Sequence, residues 1–212
     1  MGEIDRGNER IPIQPELIVF CGPMFSGKSD ELIRELRRAP HGGFKVIAFK
    51  PLIDSRRGND SINSQDGERF PAIAVRGAEE ILEHVTGADD IVGIDEAQFM
   101  DDKLPEVCLE LVRRGKKVIV AGLDKDFRGL PFGPMAKLKQ EADHVNTFHA
   151  YCRVCRRPAS FTQRIINGQP ANFDEPIVVV GADEMYEARC RVHHEVPGNQ
   201  DERRGEGKIY CY

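Results

Sequence analysis

Apolar residues fall in short bursts along the first two thirds of the chain, with amphipathic stretches between them. β-Branched and aliphatic runs recur at Leu17 to Cys21, Lys45 to Phe49, Ile91 to Ile94 and Val118 to Ala121, each the length of a strand buried on both faces. Between them, residues around 30 to 38, 78 to 85 and 101 to 114 have helical character. This alternation predicts an α/β fold, a mainly parallel sheet flanked by helices. From about Tyr151 the grammar changes to paired cysteines, a turn signal at Asn167-Gly168 and a strand-like run from Ile177 to Val180. The expected organisation is a loose polar arm over 1–14, an α/β domain over 15–150, a small second domain over 151–196 and a solvated tail over 197–212.

Composition narrows the classes. The 212 residues suit one main domain with an appendage. Charged residues make up 31% and no apolar run approaches a membrane span, so no membrane partner is expected. Met1-Gly2 opens like an acylation signal, but Arg6 stands where Ser or Thr is wanted and no apolar leader follows. A net charge of −5 argues against broad binding to nucleic acid. The cysteines at 21, 108, 152, 155, 190 and 211 form no dense disulfide framework, which points to the cytoplasm. Cys21 and Cys108 read as buried small residues, and His41, His84, His144 and His149 as surface or structural ones.

Gly22-Pro23-Met24-Phe25-Ser26-Gly27-Lys28-Ser29 follows the first apolar run and opens a helical stretch, the strand, loop and helix order of a phosphate-binding P-loop. Its glycines let the backbone wrap closely around phosphates, with amide N–H groups and a helix N-terminus facing the anion. Lys28 is suited to bridge the outer phosphates of a nucleoside triphosphate, and Ser29 to offer a hydroxyl to Mg²⁺. Asp95-Glu96-Ala97-Gln98-Phe99 follows the third apolar run, where P-loop enzymes place the acid that holds Mg²⁺ through water. Asp95 takes that role, which leaves Glu96 to accept a proton from an attacking hydroxyl or water. Ligands of parallel sheets lie beyond the carboxyl ends of the strands, so both motifs are expected in one crevice. The acidic pair alone does not separate a kinase from an ATPase.

Cys152-x-x-Cys155 and Cys190-x-x-His193 have the paired spacing of a structural zinc site. His193 keeps the two-residue spacing, with His194 and Cys211 as competing fourth ligands.

An ordered series of motifs between about Leu17 and His194 resembles the thymidine kinase family of the small, zinc-containing cytosolic type. Besides the P-loop and the Asp95-Glu96 segment, it includes Asp54-Ser55-Arg56, Gly122-Leu123-Asp124, Asp126-Phe127-Arg128-Gly129, Pro131-Phe132-Gly133, Ala142-Asp143, the first cysteine pair and Tyr186-Glu187-Ala188-x-Cys190-Arg191. The resemblance implies a RecA-like P-loop core with a small zinc-binding domain. It also implies transfer of the γ-phosphoryl of ATP to the 5′-hydroxyl of thymidine, or of deoxyuridine, in pyrimidine deoxynucleotide salvage. Glu96 would be the general base. Residues 22 to 29 with Asp95 and Gln98 would bind ATP, and Asp54 and Arg56 would join Ser29 and Asp95 around magnesium and the phosphoryl oxygens. Met24, Phe99, Leu123, Phe127, Phe132 and Tyr186 resemble the lining of the thymine pocket. A loop from about Ala159 to Gly181, including Val178, Val179, Val180 and Gly181, would close over the base and read it with backbone groups. Similar enzymes are commonly homotetramers restrained by dTTP. Three details depart from the family: His193 stands where the second pair more often ends in cysteine, Arg57 stands where Tyr is usual, and Gln65-Asp66-Gly67 replaces a histidine-bearing loop. The reading from another class is a RecA-like, nucleic-acid-dependent ATPase with a zinc ribbon, which the acidic balance disfavours.

Overall fold

Leu17, Val19 and Cys21 enter one apolar layer while Phe20 enters another, so the first run forms a strand covered on both faces, β1 (Glu16–Cys21). The computed structural model describes residues 13–52, 60–178 and 185–198. The chain continues through α1 (Lys28–Arg38), β2 (Val46–Pro51), β3 (Ser61–Asn63), β4 (Arg69–Pro71), β5 (Ile73–Val75) and α2 (Ala78–His84). Then come β6 (Ile91–Ile94), α3 (Leu104–Arg113), β7 (Lys117–Gly122), α4 (Met135–Glu141) and β8 (His144–Thr147). Six strands form a parallel sheet in the order β5-β2-β6-β7-β1-β8. Leu32, Ile33 and Leu36 of α1 cover one face. Ile81 of α2, Leu104, Cys108 and Leu111 of α3 and Met135 and Leu138 of α4 cover the other. Among the described residues no helix is long and apolar enough to cross a membrane.

The strand order positions the site. Strand β7 lies between β1 and β6, with Cys21 opposite Gly122 and Ile94 opposite Val120. The P-loop, the acidic pair and Leu123 therefore leave three adjacent strands at the same end of the sheet.

The remaining strands are antiparallel. A hairpin joins β9 (Ala150–Tyr151) to β10 (Pro158–Ala159), and β11 (Phe161–Ile166), β12 (Gln169–Pro170) and β13 (Met185–Arg189) form a sheet in the order β12-β11-β13. Asn167 and Gly168, with φ of 51° and 77°, make the tight turn between β11 and β12, as their positive-φ tolerance predicts. Ile177 and Val178 belong to no strand, unlike the expected run, and Val179 and Val180 lie outside the described residues. The partner of β11 is β13 instead, whose Glu and Arg residues mask its alternation. Helix α4 and strand β8 were not expected from the pattern. All four residues of β8 are exposed, and pairing with β1 alone makes it a strand.

Candidate active site and metal centre

At the end of β1 the chain turns sharply. A Cβ on Gly22 would lie 2.3 Å from the Phe148 carbonyl oxygen, and φ there is +145°, so only glycine lets the loop pass the segment after β8. Gly27, at φ 80°, hands the loop to α1. Lys28 Nζ turns back into the loop and donates to Pro23 O at 2.6 Å and Ser26 Oγ at 3.4 Å. Burial lowers the Lys28 pKa, and the carboxylates of Glu96, Asp95 and Asp124 oppose that shift.

Ser29 Oγ donates to Asp95 Oδ1 at 3.1 Å. The Asp95 carboxyl is raised to about 7, first by burial and then by the adjacent Glu96 charge. Such a site favours a cation. Glu96 stands in the left-handed region at φ 52°, which is uncommon for a side chain of this size and marks sites that surrounding contacts hold in place. Those contacts run through Gln98. Its Nε2 donates to Glu96 Oε2 and its Oε1 accepts the Leu123 N–H at 2.9 Å. Gln98, expected among the ATP residues, therefore bridges the Glu96 carboxylate to the exit of β7.

The Pro131-Phe132-Gly133 turn supports this bridge from behind. Gly133 has φ 51°, and a Cβ there would sit 2.2 Å from Gln98 O. Gly133→Ala should displace the Gln98 backbone and destabilise the protein by about 1–3 kcal/mol, the usual cost of overpacking. Denaturant unfolding measures this, and an unchanged midpoint would contradict the packing.

A cavity of about 240 Å³ opens over these groups. The whole stretch from Met24 to Ser29 lines it, together with Asp95, Glu96, Gln98, Phe99, Leu123, Phe127, Phe132, Val178 and Tyr186. Phe99 and Phe132 meet edge to face at 5.4 Å. Thr162, Lys50 and Asn63 are among the lining residues that were not foreseen. Thr162 Oγ1 accepts the Met24 N–H at 3.0 Å, tying β11 to the P-loop. Lys50, 2% exposed, donates to Ser61 O at 3.2 Å. Asn63 comes from β3. Nothing in their local sequence marks them, because each reaches the cavity only through strand pairing. Asp54, Arg56, Val179, Val180 and Gly181 lie outside the described residues.

The second cluster brings Cys152, Cys155, Cys190 and His193 together, with one ligand atom of each within 4.8 Å of all the others. Cys155 Sγ lies 3.7 Å from Cys190 Sγ, and His193 Nδ1 lies 3.6 Å from Cys152 Sγ and 3.3 Å from Cys190 Sγ. Zinc–sulfur and zinc–nitrogen bonds of ordinary length make tetrahedral edges of about 3.5–3.8 Å, so the four residues fit zinc. Burial opposes ionisation of Cys152. The backbone N–H groups of Cys155, Cys190 and Val154, with the His193 ring, outweigh it and bring the thiol down to about 6. His194 stands outside this cluster, its Nε2 on Phe127 O. Cys211 lies outside the described residues.

A family model described as thymidine kinase matches residues 15–194. That span runs from just before β1 to just past the fourth residue of the metal cluster.

Proposed function

The chain belongs to the thymidine kinase family, and we propose that it transfers the γ-phosphoryl of ATP to the 5′-hydroxyl of thymidine, or of deoxyuridine, giving the monophosphate and ADP. The observation that carries this reading is a single cavity lined by Lys28, Ser29, Asp95 and Glu96 on one side and by Phe127, Phe132 and Tyr186 on the other. The first group suits a triphosphate and the second a planar base.

The P-loop amides and the N-terminus of α1 take the phosphates. Lys28 exchanges its contacts with Pro23 and Ser26 for the outer phosphate oxygens, where its charge is needed as the transferring group loosens. Magnesium, held by Ser29 and through water by Asp95, would neutralise charge on the β- and γ-phosphates. Glu96, steadied by Gln98, accepts the 5′-hydroxyl proton while that oxygen bonds to the γ-phosphorus and the bond to the β-bridging oxygen breaks, its electron pair leaving on ADP. Asp54 and Arg56 join the phosphoryl oxygens in this reading. Phe99, Leu123, Phe127 and Tyr186 frame the base, and the backbone over residues 178 to 181 reads its edge. Zinc on Cys152, Cys155, Cys190 and His193 would tie the β9–β10 hairpin to the segment after β13 within a domain over 151–196, beside an α/β domain over 15–150. We further place the enzyme in the cytoplasm as a homotetramer restrained by dTTP, with no nucleic-acid partner.

A phosphorylation screen across the natural nucleosides with ATP and Mg²⁺ tests the proposal. Thymidine and deoxyuridine monophosphates are the expected products. ADP release that requires nucleic acid and ignores nucleosides would overturn it.

A further inference from the structure

His194 follows the fourth residue of the metal cluster, yet its ring is not part of that cluster and bonds to the loop after β7. Nε2 lies 2.8 Å from Phe127 O. A carbonyl oxygen only accepts, so Nε2 carries the proton and donates. The ring stacks on Phe161 at 4.6 Å between centroids and 19° between planes. Its own backbone N–H donates to Cys190 O at 3.0 Å. The next residue is held on both sides by Gln163, whose Oε1 accepts the Glu195 N–H at 2.8 Å and whose Nε2 donates to Glu195 O at 2.9 Å. Backbone, ring face and following residue are thus all fixed to the cysteine pair and to β11. The ring nitrogen then reaches across 67 positions of sequence to the loop after β7.

That loop carries the Phe127 ring into the cavity. Where it meets β11, the space over Gly129, at φ +81°, is closed by Phe161 and His194, 3.3 and 3.6 Å from where a Cβ would stand. The carbonyl of Phe127 is bound to a rigid imidazole, so the cavity wall inherits its position from the metal-bearing segment. We propose that His194 is a positioning residue for nucleoside binding, a strut that transmits the position of the Cys190-x-x-His193 segment to Phe127. The inference rests on reading the cavity as a nucleoside site.

Two variants separate the strut from general packing. His194→Phe keeps a ring on Phe161 and loses the donor, whereas His194→Gln loses the ring and keeps an N–H donor of similar reach. His194→Phe should raise the thymidine dissociation constant and KM about tenfold, the effect of one hydrogen bond to an enclosed carbonyl. The KM for ATP and the zinc content by elemental analysis should not change. His194→Gln should retain most of the affinity. Either variant alone decides if the other does not fold, since the first must lose thymidine affinity and the second must keep it. Wild-type thymidine affinity in His194→Phe overturns the strut, as does an equal loss for ATP. Loss of zinc in His194→Phe also overturns it, because the residue would then act on the metal. Wild-type protein that binds no nucleoside refutes the reading of the cavity instead.

Discussion

Glu96→Gln is expected to lower kcat by about 10²- to 10⁴-fold, the usual contribution of a positioned general base, with little change in ATP affinity. Glutamine preserves the shape of the side chain and can still accept from Gln98 Nε2, so the Glu96–Gln98–Leu123 bridge survives. Lys28, Ser29 and the P-loop backbone are untouched. What disappears is the capacity to take the proton of the attacking hydroxyl. A second consequence follows from charge. Asp95 stands at about 7 because it is buried and because Glu96 is beside it. Without the second push its pKa falls, so more of Asp95 is ionised at mildly acid pH. Binding of Mg²⁺ with ATP near pH 6 should therefore hold or improve in the variant while turnover falls. Steady-state kinetics with a parallel titration of nucleotide binding across pH reads both effects. Unimpaired kcat would remove Glu96 from the proton-accepting role.

Cys152→Ala should abolish metal binding and, with it, nucleoside binding. The buried apolar cluster behind the metal site is built from Ala150, Cys152, Ala159 and Ala188, with Cys155 and Cys190 against it. Methyl groups and thiols bury too little area to hold two short antiparallel units together. A structural zinc contributes an apparent 10–16 kcal/mol or so to such sites. Its loss should free β9, β10 and the end of β13, and with them the Thr162 contact to Met24 and the His194 contact to Phe127. The parallel sheet has its own cores on both faces, so ATP affinity should outlast thymidine affinity. Elemental analysis, calorimetric binding of each ligand and amide hydrogen exchange over 150–196 test this together. Equal zinc content in mutant and wild type would contradict the site.

Some of this architecture was plain in the pattern of residues. Runs such as Leu17 to Cys21 and Val118 to Ala121 are strands because only a strand covered on both faces stays apolar without alternation. The P-loop was legible because close approach to phosphate admits few residue types. The paired Cys-x-x-Cys and Cys-x-x-His spacing announced a metal group because ligands two residues apart converge from one turn of backbone. Strand β8 was not legible, since His144, Val145, Asn146 and Thr147 are exposed and only the β1 edge recruits them. Strand β13 was missed because charged residues on the open face of a small sheet hide its period.

The sequence by itself determined the local chemistry: a glycine-rich turn of P-loop pattern, two acids after a buried strand, a quartet of cysteine and histidine side chains with the spacing of metal ligands, and the α/β alternation that carries them. Those are properties of neighbours along the chain, where backbone geometry leaves few alternatives. The tertiary structure alone decided how they meet. It put β7 between β1 and β6, set Gln98 between Glu96 and Leu123, brought Thr162 to Met24, and turned His194 from the metal cluster toward Phe127. Each of these contacts depends on which strands pair and which side chains fill the space between them, and packing of that kind is settled only when the whole chain has folded.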